Sequence, residues 1–213
     1  MALADPILLE VLRNRFEAIA DEMELTILKS AYSPIVKEGL DASSALFGAR
    51  GETIAQGTGI PIHLGSLIFA VKRMIEAFPP DTMAEGDAYL LNDPYDGGTH
   101  LPDWVVVVPV RWGGRTVALA TTMCHHQDVG GKTPGSIPTD APEIYQEGLV
   151  IPPCRPNSSP IRAAPRRPAA ICAMRSPTTT SGMRTFRRMK ASTVGSGSPA
   201  RNSRHGGMTR PSW

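Results

Sequence analysis

Two apolar segments joined by a pair of glycines constrain the fold of this chain more than any other feature. Residues 104–110 and 116–122 are rich in β-branched side chains, and Gly113-Gly114 lies between them. Runs of this composition form strands, and a two-residue glycine loop is typical of a tight β-hairpin. The sequence therefore predicts a hairpin whose open end brings the flanking segments of the chain together.

Side chains that can bind metals are concentrated in these two flanking segments. Two imidazoles and a carboxylate that leave positions open for water and substrate are typical of a catalytic metal site, whereas a closed structural site usually takes four protein ligands and favours thiolates. An isolated histidine or aspartate in a turn usually has no such role. Here the metal interpretation is favoured because seven such side chains lie close together around the hairpin. Its members are Asp93, Asp96, His100 and Asp103 before the hairpin and His125, His126 and Asp128 after it.

The pairing register of the hairpin decides which of these side chains meet. A two-residue loop places Asp103 opposite Cys124 and leaves His125 one step away, opposite Pro102. A three-residue loop places Asp103 diagonally across from His125 on the same face of the sheet. Two imidazoles and a carboxylate converge in both registers. The choice between His125 and His126 as the ligand stays open.

The other globular segments predict an α+β fold with a mixed or antiparallel sheet. Asp5-Pro6 is typical of a helix start, and apolar residues recur at helical spacing from there to about Ser30, which predicts a long amphipathic core helix. A second amphipathic helix is expected over residues 66–78. Short strands are expected at residues 43–48, 53–55 and 88–91.

Three further ionisable residues receive ordinary structural interpretations. His63 is a lone histidine near the second helix, and such a residue is more often hydrogen-bonded in a core than bound to a metal. Its replacement is therefore expected to leave a metal site intact. Glu38 and Asp41 lie on the loop before the first short strand and are interpreted as solvated charges.

The distribution of charge divides the chain into two unlike parts. Residues 1–154 contain all 20 acidic residues but only 10 of the 22 lysines and arginines, which gives this part a formal charge of −10. Residues 155–213 contain the other 12 basic residues and no acidic one. This tail is rich in Pro, Arg and Ser, has few aliphatic residues and shows no periodicity, so it is predicted to be disordered. A domain boundary is therefore expected after residue 154.

The basic tail has two competing interpretations. A nucleic-acid-binding arm would need a stripe of arginines or aromatic residues interleaved for stacking, and neither occurs, so nucleic acid is not the expected partner. The abrupt loss of every acidic residue favours a frameshifted reading of GC-rich DNA. Translation of the other reading frames would test that hypothesis.

The cysteines and the apolar runs favour a cytoplasmic protein. Cys124, Cys154 and Cys172 have no CxxC or paired spacing, which argues against a disulfide framework and for a reducing compartment. Neither a signal peptide nor an apolar run of about 18 residues is found, so no membrane association is expected.

Five sequence segments carry a family resemblance. They are SPIVKEGLDASSALF, IPIHLGS, YLLNDPYDGGTHLPD, HHQDVGG and EIYQEGLVIPP. In order and approximate spacing they resemble the hydantoinase B family, a subunit class shared by N-methylhydantoinases, oxoprolinases, and acetone and acetophenone carboxylases. The resemblance covers about residues 6–153.

The resemblance implies a divalent metal site and a set of residues around it. Zinc, manganese and iron all accept two imidazoles and a carboxylate, so the metal could be any of the three. The implied ligands are His100, Asp103 and His125. Lesser candidates for this site are Glu38, Asp41, Asp93, His126 and Asp128. Catalytic roles are expected for Asp93, His126 and Asp128.

The implied function is that of the metal-containing subunit of an ATP-dependent hydrolase of cyclic amides, such as hydantoin or 5-oxoproline. ATP would bind to a hydantoinase A-type partner, and this chain itself has no GK[ST] phosphate loop. The alternatives are a subunit of a ketone carboxylase of the acetone or acetophenone type, or an inactive truncated product. Family members run to several hundred residues, so the chain alone is expected to show no turnover.

Overall fold

The computed structural model describes residues 5–156, and the predicted disorder of the tail falls on residues outside this range. The described residues form three α-helices, five strands and short 3-10 turns. The helices are α1 (Pro6–Ser30), α2 (Pro34–Lys37) and α3 (Pro61–Ala77). The strands are β1 (Ala42–Gly48), β2 (Thr53–Gln56), β3 (Tyr89–Leu91), β4 (Asp103–Trp112) and β5 (Arg115–His125).

The five strands form one sheet in the order β2-β1-β5-β4-β3, and every neighbouring pair is antiparallel. The predicted α+β class is confirmed. Of the two sheet types that were expected, mixed and antiparallel, the structure has the antiparallel one. Strand β1 pairs with β5 from Ala42 opposite Cys124 to Gly48 opposite Ala118. The loop that precedes β1 therefore lies beside the end of β5, where the metal-capable side chains were expected.

The β4–β5 hairpin closes through the two-residue turn that the glycines predict. Gly113 and Gly114 have φ angles of 58° and 80°, as a type I′ turn requires. The pairing then shifts by one residue between Val110 and Arg111, which places Val117 outside the paired positions. This is a β-bulge, in which two residues of one strand oppose one residue of the other.

Because of this bulge, Asp103 lies directly opposite His125, and Trp104 lies opposite Cys124. Both registers expected from the sequence were therefore wrong at the open end of the hairpin. Each assumed that regular pairing continues from the turn, whereas one extra residue reassigns every partner beyond it. In the observed register the Asp103 carboxylate and the His125 imidazole belong to directly paired residues, whereas both expected registers placed them one or more positions apart.

Helix α1 begins as predicted, but only its second half belongs to the core. The Asp5 carboxylate caps it by accepting a hydrogen bond from the Ile7 amide at 2.9 Å. Its 25 residues span about 37 Å, which is longer than strands β1 and β2 against which it packs. The interpretation of α1 as a core helix along its whole length was therefore wrong. The exposed apolar residues of its first half are Ile7, Leu8, Leu9, Val11 and Leu12.

Helix α3 packs across the sheet and forms the main core with it. It begins at Pro61, five residues earlier than expected, because proline suits the first turn of a helix, where its missing N–H needs no partner. The earlier start places His63 in the first turn of α3. Fully buried residues of this core include Phe47, Leu67, Val71, Met74, Tyr89, Leu91, Leu119 and Met123.

The segment after the hairpin folds back against β3 and is held there by the buried Asn92. The side-chain nitrogen of Asn92 donates to the carbonyls of Leu101 at 2.7 Å and Leu149 at 2.8 Å, and its oxygen accepts from the Ile151 amide at 2.6 Å. These bonds tie the loop before β4 to the last described segment. No helix within residues 5–156 has both the length and the apolar character of a membrane span.

The described chain continues past the expected domain boundary. Leu90 and Cys154 exchange backbone hydrogen bonds of 2.9 and 3.0 Å, and Arg155 lies 3.0 Å from the Asp87 carboxylate. Arg155, expected to begin the tail, thus contacts the globular part. The boundary after residue 154 itself stays a prediction.

Candidate metal centre

Five ionisable side chains from separate parts of the chain meet at one end of the sheet. Asp41 precedes β1, His63 lies in the first turn of α3, His100 and Asp103 flank the entry to β4, and His125 ends β5. They form two overlapping groups, His100 with Asp103 and His125, and Asp41 with His63 and Asp103. Within each group the possible ligand atoms lie within 4.8 Å of one another.

The first group is the set of metal ligands expected from the sequence, and the structure brings its members together. Asp103 and His125 face each other across the hairpin. His100 Nε2 lies 3.2 Å from Asp103 Oδ2, and the ring centroids of His100 and His125 are 5.1 Å apart. A turn closed by the Asp103 amide on the His100 carbonyl at 3.0 Å lets both side chains point the same way, since strand alternation does not apply to a turn.

The second group adds His63, which was expected in the core, and Asp41, which was expected only as a lesser candidate for the site. His63 Nε2 lies 3.3 Å from Asp41 Oδ1 and 3.4 Å from Asp103 Oδ2, while His63 Nδ1 lies 3.2 Å from Ser43 Oγ. His63 is buried and hydrogen-bonded as expected, but it lies inside the cluster. The side chain of Asp41 is only 26% exposed, so its interpretation as a solvated charge was wrong. The loop of Asp41 is covered because β1 pairs with β5.

The cluster keeps one carboxylate ionised and one imidazole neutral. Burial raises the pKa of Asp103, but hydrogen bonds from His100, His63 and Thr99 outweigh it and hold the pKa of this carboxyl well below its usual range. The hydrogen bond to Asp103 raises the pKa of His100. Burial lowers the pKa of His125, which favours the neutral imidazole that metals bind.

Several buried ligand atoms of the cluster have no hydrogen-bond partner among residues 5–156. They are Asp103 Oδ1, His125 Nδ1 and Asp41 Oδ1, whose 3.3 Å contact with His63 Nε2 lacks hydrogen-bond geometry. An unpaired buried polar atom costs about 1–3 kcal/mol, so several in one place call for a ligand. Thr99 donates to Asp103 Oδ2, which leaves Oδ1 available. Oxygen and nitrogen donors of this kind fit a divalent cation.

The family of the chain follows from a comparison with known proteins. Residues 5–159 match the model of the Hydantoinase B/oxoprolinase family. The chain belongs to this family. The expectation drawn from the five sequence segments is thereby confirmed.

Individual members of the hydantoinase B/oxoprolinase family are similar to this chain over most of its length. The caprolactamase subunit beta of Pseudomonas jessenii is 43% identical over 155 residues, which cover 73% of this chain and 26% of that protein. A 5-oxoprolinase of Dictyostelium discoideum is 42% identical over 147 residues, which cover 69% of this chain and 12% of that protein. The chain thus spans about a quarter or less of the length of these relatives.

Two solved structures are similar in fold. Nucleotide-free acetone carboxylase matches with a TM-score of 0.74 and 27% identity, over 90% of this chain and 26% of that chain. The ATP-dependent caprolactamase from Pseudomonas jessenii matches with a TM-score of 0.68 and 33% identity, over 90% of this chain and 35% of that chain.

Two acidic residues of the segment YLLNDPYDGGTHLPD contact other partners. Asp93 caps a 3-10 turn by accepting a hydrogen bond from the Tyr95 amide at 2.9 Å. Asp96 lies 2.7 Å from the Arg73 guanidinium. Among the described residues, neither aspartate belongs to a group that could hold a metal. The catalytic role expected for Asp93 stays a prediction.

Asp128 of the segment HHQDVGG organises the loop after β5. Its Oδ1 accepts from the Gly130 amide at 2.7 Å and from the Ser136 hydroxyl at 2.9 Å, and its Oδ2 accepts from the Gly135 amide at 3.0 Å. These bonds lower the pKa of the Asp128 carboxyl. Its catalytic role also stays a prediction.

His126 lies against Trp104 rather than in the cluster. The two rings stack with their centroids 4.0 Å apart, the His126 amide donates to the Pro102 carbonyl at 2.8 Å, and its Nδ1 lies 3.2 Å from the Cys124 carbonyl. Of the two adjacent histidines, the structure therefore brings His125 to the other candidate ligands. The catalytic role expected for His126 stays a prediction, and Glu38 is exposed at the end of α2.

Proposed function

We propose that this chain supplies the metal-binding part of an ATP-dependent hydrolase of cyclic amides. A hydantoinase A-type partner subunit would bind ATP, since this chain carries no recognisable phosphate loop. Family membership supports the proposal, and so do relatives named for caprolactam and 5-oxoproline, both of which are cyclic amides. The observation that carries it is the cluster of half-buried His100 with buried Asp103 and His125, in which Asp103 Oδ1 has no hydrogen-bond partner among the described residues.

His100, Asp103 and His125 would hold the ion, and Asp41 would complete the set. When bound, the ion would supply a Lewis acid that polarises the amide oxygen or lowers the pKa of water. The Asp103 carboxylate would offset the positive charge of the ion, because the hydrogen bonds to this carboxyl keep it ionised. His100 has a side-chain exposure of 36%, against 3% for Asp103. The cluster is therefore open to substrate on the side of His100.

A ketone carboxylase subunit is the second candidate function. The similarity in fold to acetone carboxylase, with a TM-score of 0.74, favours it. Hydrolysis of a cyclic amide and carboxylation of a ketone both place negative charge on a substrate oxygen, and a cation in this cluster would stabilise that charge in either reaction. Assays with 5-oxoproline or caprolactam, and with acetone and bicarbonate, would separate the two once a hydantoinase A-type subunit and ATP are added.

Elemental analysis of the purified chain tests the metal on which the proposal depends. The parent chain is expected to hold one equivalent of zinc, manganese or iron, and His100→Ala and Asp103→Ala are expected to lose it. Asp93→Asn is the control, because Asp93 caps a turn outside the cluster. A parent chain without metal, or an Asp103→Ala variant that keeps it, would contradict the proposal.

A further inference from the structure

His63 lies between two carboxylates that come from separate parts of the chain. Its Nε2 is 3.3 Å from Asp41 Oδ1 and 3.4 Å from Asp103 Oδ2, and the residue is 4% exposed. Asp41 precedes β1 and Asp103 begins β4, with β5 between these strands in the sheet. Backbone pairing therefore does not link the two carboxylates directly. Their charges repel each other, and a donor placed between them offsets that repulsion.

Ser43 is the hydrogen-bond partner of the other ring nitrogen of His63, Nδ1. Ser43 is fully buried in β1, its Oγ accepts from the Ile60 amide at 2.9 Å, and the same Oγ lies 3.2 Å from His63 Nδ1. Within residues 5–156 these are its hydrogen-bond partners, so Nδ1 is the acceptor available to the hydroxyl proton. A hydroxyl proton donated to Nδ1 would place the ring proton on Nε2, facing the carboxylates.

We propose that His63 is a positioning residue whose Nε2–H, aimed between Asp41 and Asp103, holds both carboxylates for the metal by a shared hydrogen bond when the metal is bound, while Ser43 fixes the tautomer. This inference rests on the proposed function, because it needs a metal in the cluster. In this structure Nε2 lies at nearly equal distances of 3.3 and 3.4 Å from the two carboxylates, and the contact with Asp41 lacks hydrogen-bond geometry, so a modest shift of Asp41 on metal binding would complete the bond. The earlier expectation that His63→Ala leaves the metal site intact is replaced by an expected loss of affinity.

Two substitutions of His63 separate positioning from direct coordination. Outer hydrogen bonds orient metal ligands, and losing one typically weakens metal binding about 10–100-fold, which is the effect expected for His63→Ala. Glutamine keeps an amide N–H near the position of Nε2 but is a poor metal ligand, so His63→Gln is expected to retain most of the affinity. The measurement is zinc affinity of the full 213-residue chain by competition with a chromophoric chelator. Equal losses in the two variants would overturn the proposal.

A matched pair of serines on β1 tests the tautomer. Ser43 contacts His63, whereas Ser44 is equally buried and its hydroxyl has no hydrogen-bond partner among the described residues. Ser43→Ala is expected to weaken zinc binding several-fold, and Ser44→Ala is expected to leave it unchanged. The same zinc affinity in both variants would count against the role assigned to Ser43.

The number of coordinated imidazoles provides a further test. Electron spin-echo envelope modulation of the Cu²⁺-loaded parent chain is expected to count two imidazoles, those of His100 and His125, and His63→Ala is expected to keep both. Three in the parent chain and two in His63→Ala would make His63 a ligand and overturn the positioning role while leaving the proposed metal site in place. A parent chain that binds no metal would overturn the proposed function and this inference together.

Discussion

His125 and His126 are neighbours in sequence but serve opposite faces of the sheet. Side chains alternate along a strand, so the bulge that places His125 opposite Asp103 also places His126 beside Trp104. Composition could not separate the two histidines, since both are imidazoles at the end of one strand. Their surroundings differ because of one extra residue near the distant turn.

The first prediction distinguishes these two histidines by substitution. His125→Ala is expected to lose stoichiometric metal because it removes a ligand. His126→Ala is expected to keep the metal and to lower the free energy of unfolding by about 1 kcal/mol, since it removes a stacked pair. Elemental analysis and urea denaturation measure the two effects. Metal lost from His126→Ala but retained by His125→Ala would reverse our assignment.

The second prediction concerns the pH dependence contributed by Asp128. Its folded pKa is lowered by hydrogen bonds from Gly130, Gly135 and Ser136, so its contribution to stability is fully present above the unfolded pKa of about 3.9 and is lost as pH falls through the folded pKa. Asp128→Asn is therefore expected to be less stable than the parent at pH 7, by under about 1 kcal/mol because the group is exposed. Urea titrations from pH 7 to pH 3 should show the difference shrinking, and a difference that grows toward low pH would be inconsistent with this sign.

The residues that sequence analysis placed correctly in the cluster are those close to the hairpin. His100, Asp103 and His125 lie beside two recognisable strands, so local pairing rules bring them together. Asp41 and His63 depend on contacts that no local rule predicts: the pairing of β1 with β5 and the earlier start of α3. Asp41 was expected only as a further candidate through the family resemblance, and His63 was assigned to the core.

Among the elements, the hairpin was the easiest to predict and its register the hardest. The strands, the turn at Gly113-Gly114 and the capped start of α1 follow from composition and turn chemistry. A bulge leaves no comparable signal, because Val117 is an ordinary strand residue whose neighbours are also strand formers. The sheet order could not be derived either, since it depends on packing between segments far apart in sequence.

The third prediction concerns the loop that delivers His100. Gly97 has a φ of 96°, and a Cβ there would lie 2.7 Å from the Ala70 amide nitrogen and 2.8 Å from the Phe69 carbonyl carbon. Gly97→Ala is therefore expected to displace the loop from α3 and to weaken metal binding at His100. Gly86 is the matched control, with a φ of 88° and open space around its Cβ position.

Both alanines incur the cost of a left-handed backbone, about 1–2 kcal/mol, but only Gly97→Ala adds a collision worth about 1–3 kcal/mol more. Chemical denaturation and zinc titration of the two variants would measure this difference. Equal unfolding free energies and equal zinc affinities would show that the close approach to α3 has no consequence.

At the scale of the whole molecule, the described part is a core that carries a cluster of candidate metal ligands and an uncovered helix face. The first half of α1 exposes five apolar side chains, with 41–75% exposure. The chain also spans 26% of the length of the caprolactamase subunit beta that it resembles. Both observations lead us to expect that the polypeptide needs further protein for activity.

The fourth prediction is that the purified chain alone does not turn over substrate. It has no recognisable phosphate loop, so ATP-dependent hydrolysis of 5-oxoproline, caprolactam or hydantoin is expected to be absent without a hydantoinase A-type subunit. Coupled detection of ADP and of the ring-opened product measures this. Steady turnover by the partner-free chain would contradict it, and metal binding in the same preparation would confirm that the cluster is formed.

The candidate ligands of the cluster are widely separated in sequence, from Asp41 to His125, so an ion bound there would act as a cross-link between distant segments. Like a disulfide, it would restrict the unfolded chain by closing long loops. The fifth prediction is that chelation accelerates amide hydrogen exchange at the open end of the hairpin, around Asp103 and His125, and leaves the turn end near Gly113-Gly114 unchanged. Uniform acceleration along β4 and β5 would argue against it. The metal would then determine how far along the hairpin the native chain opens.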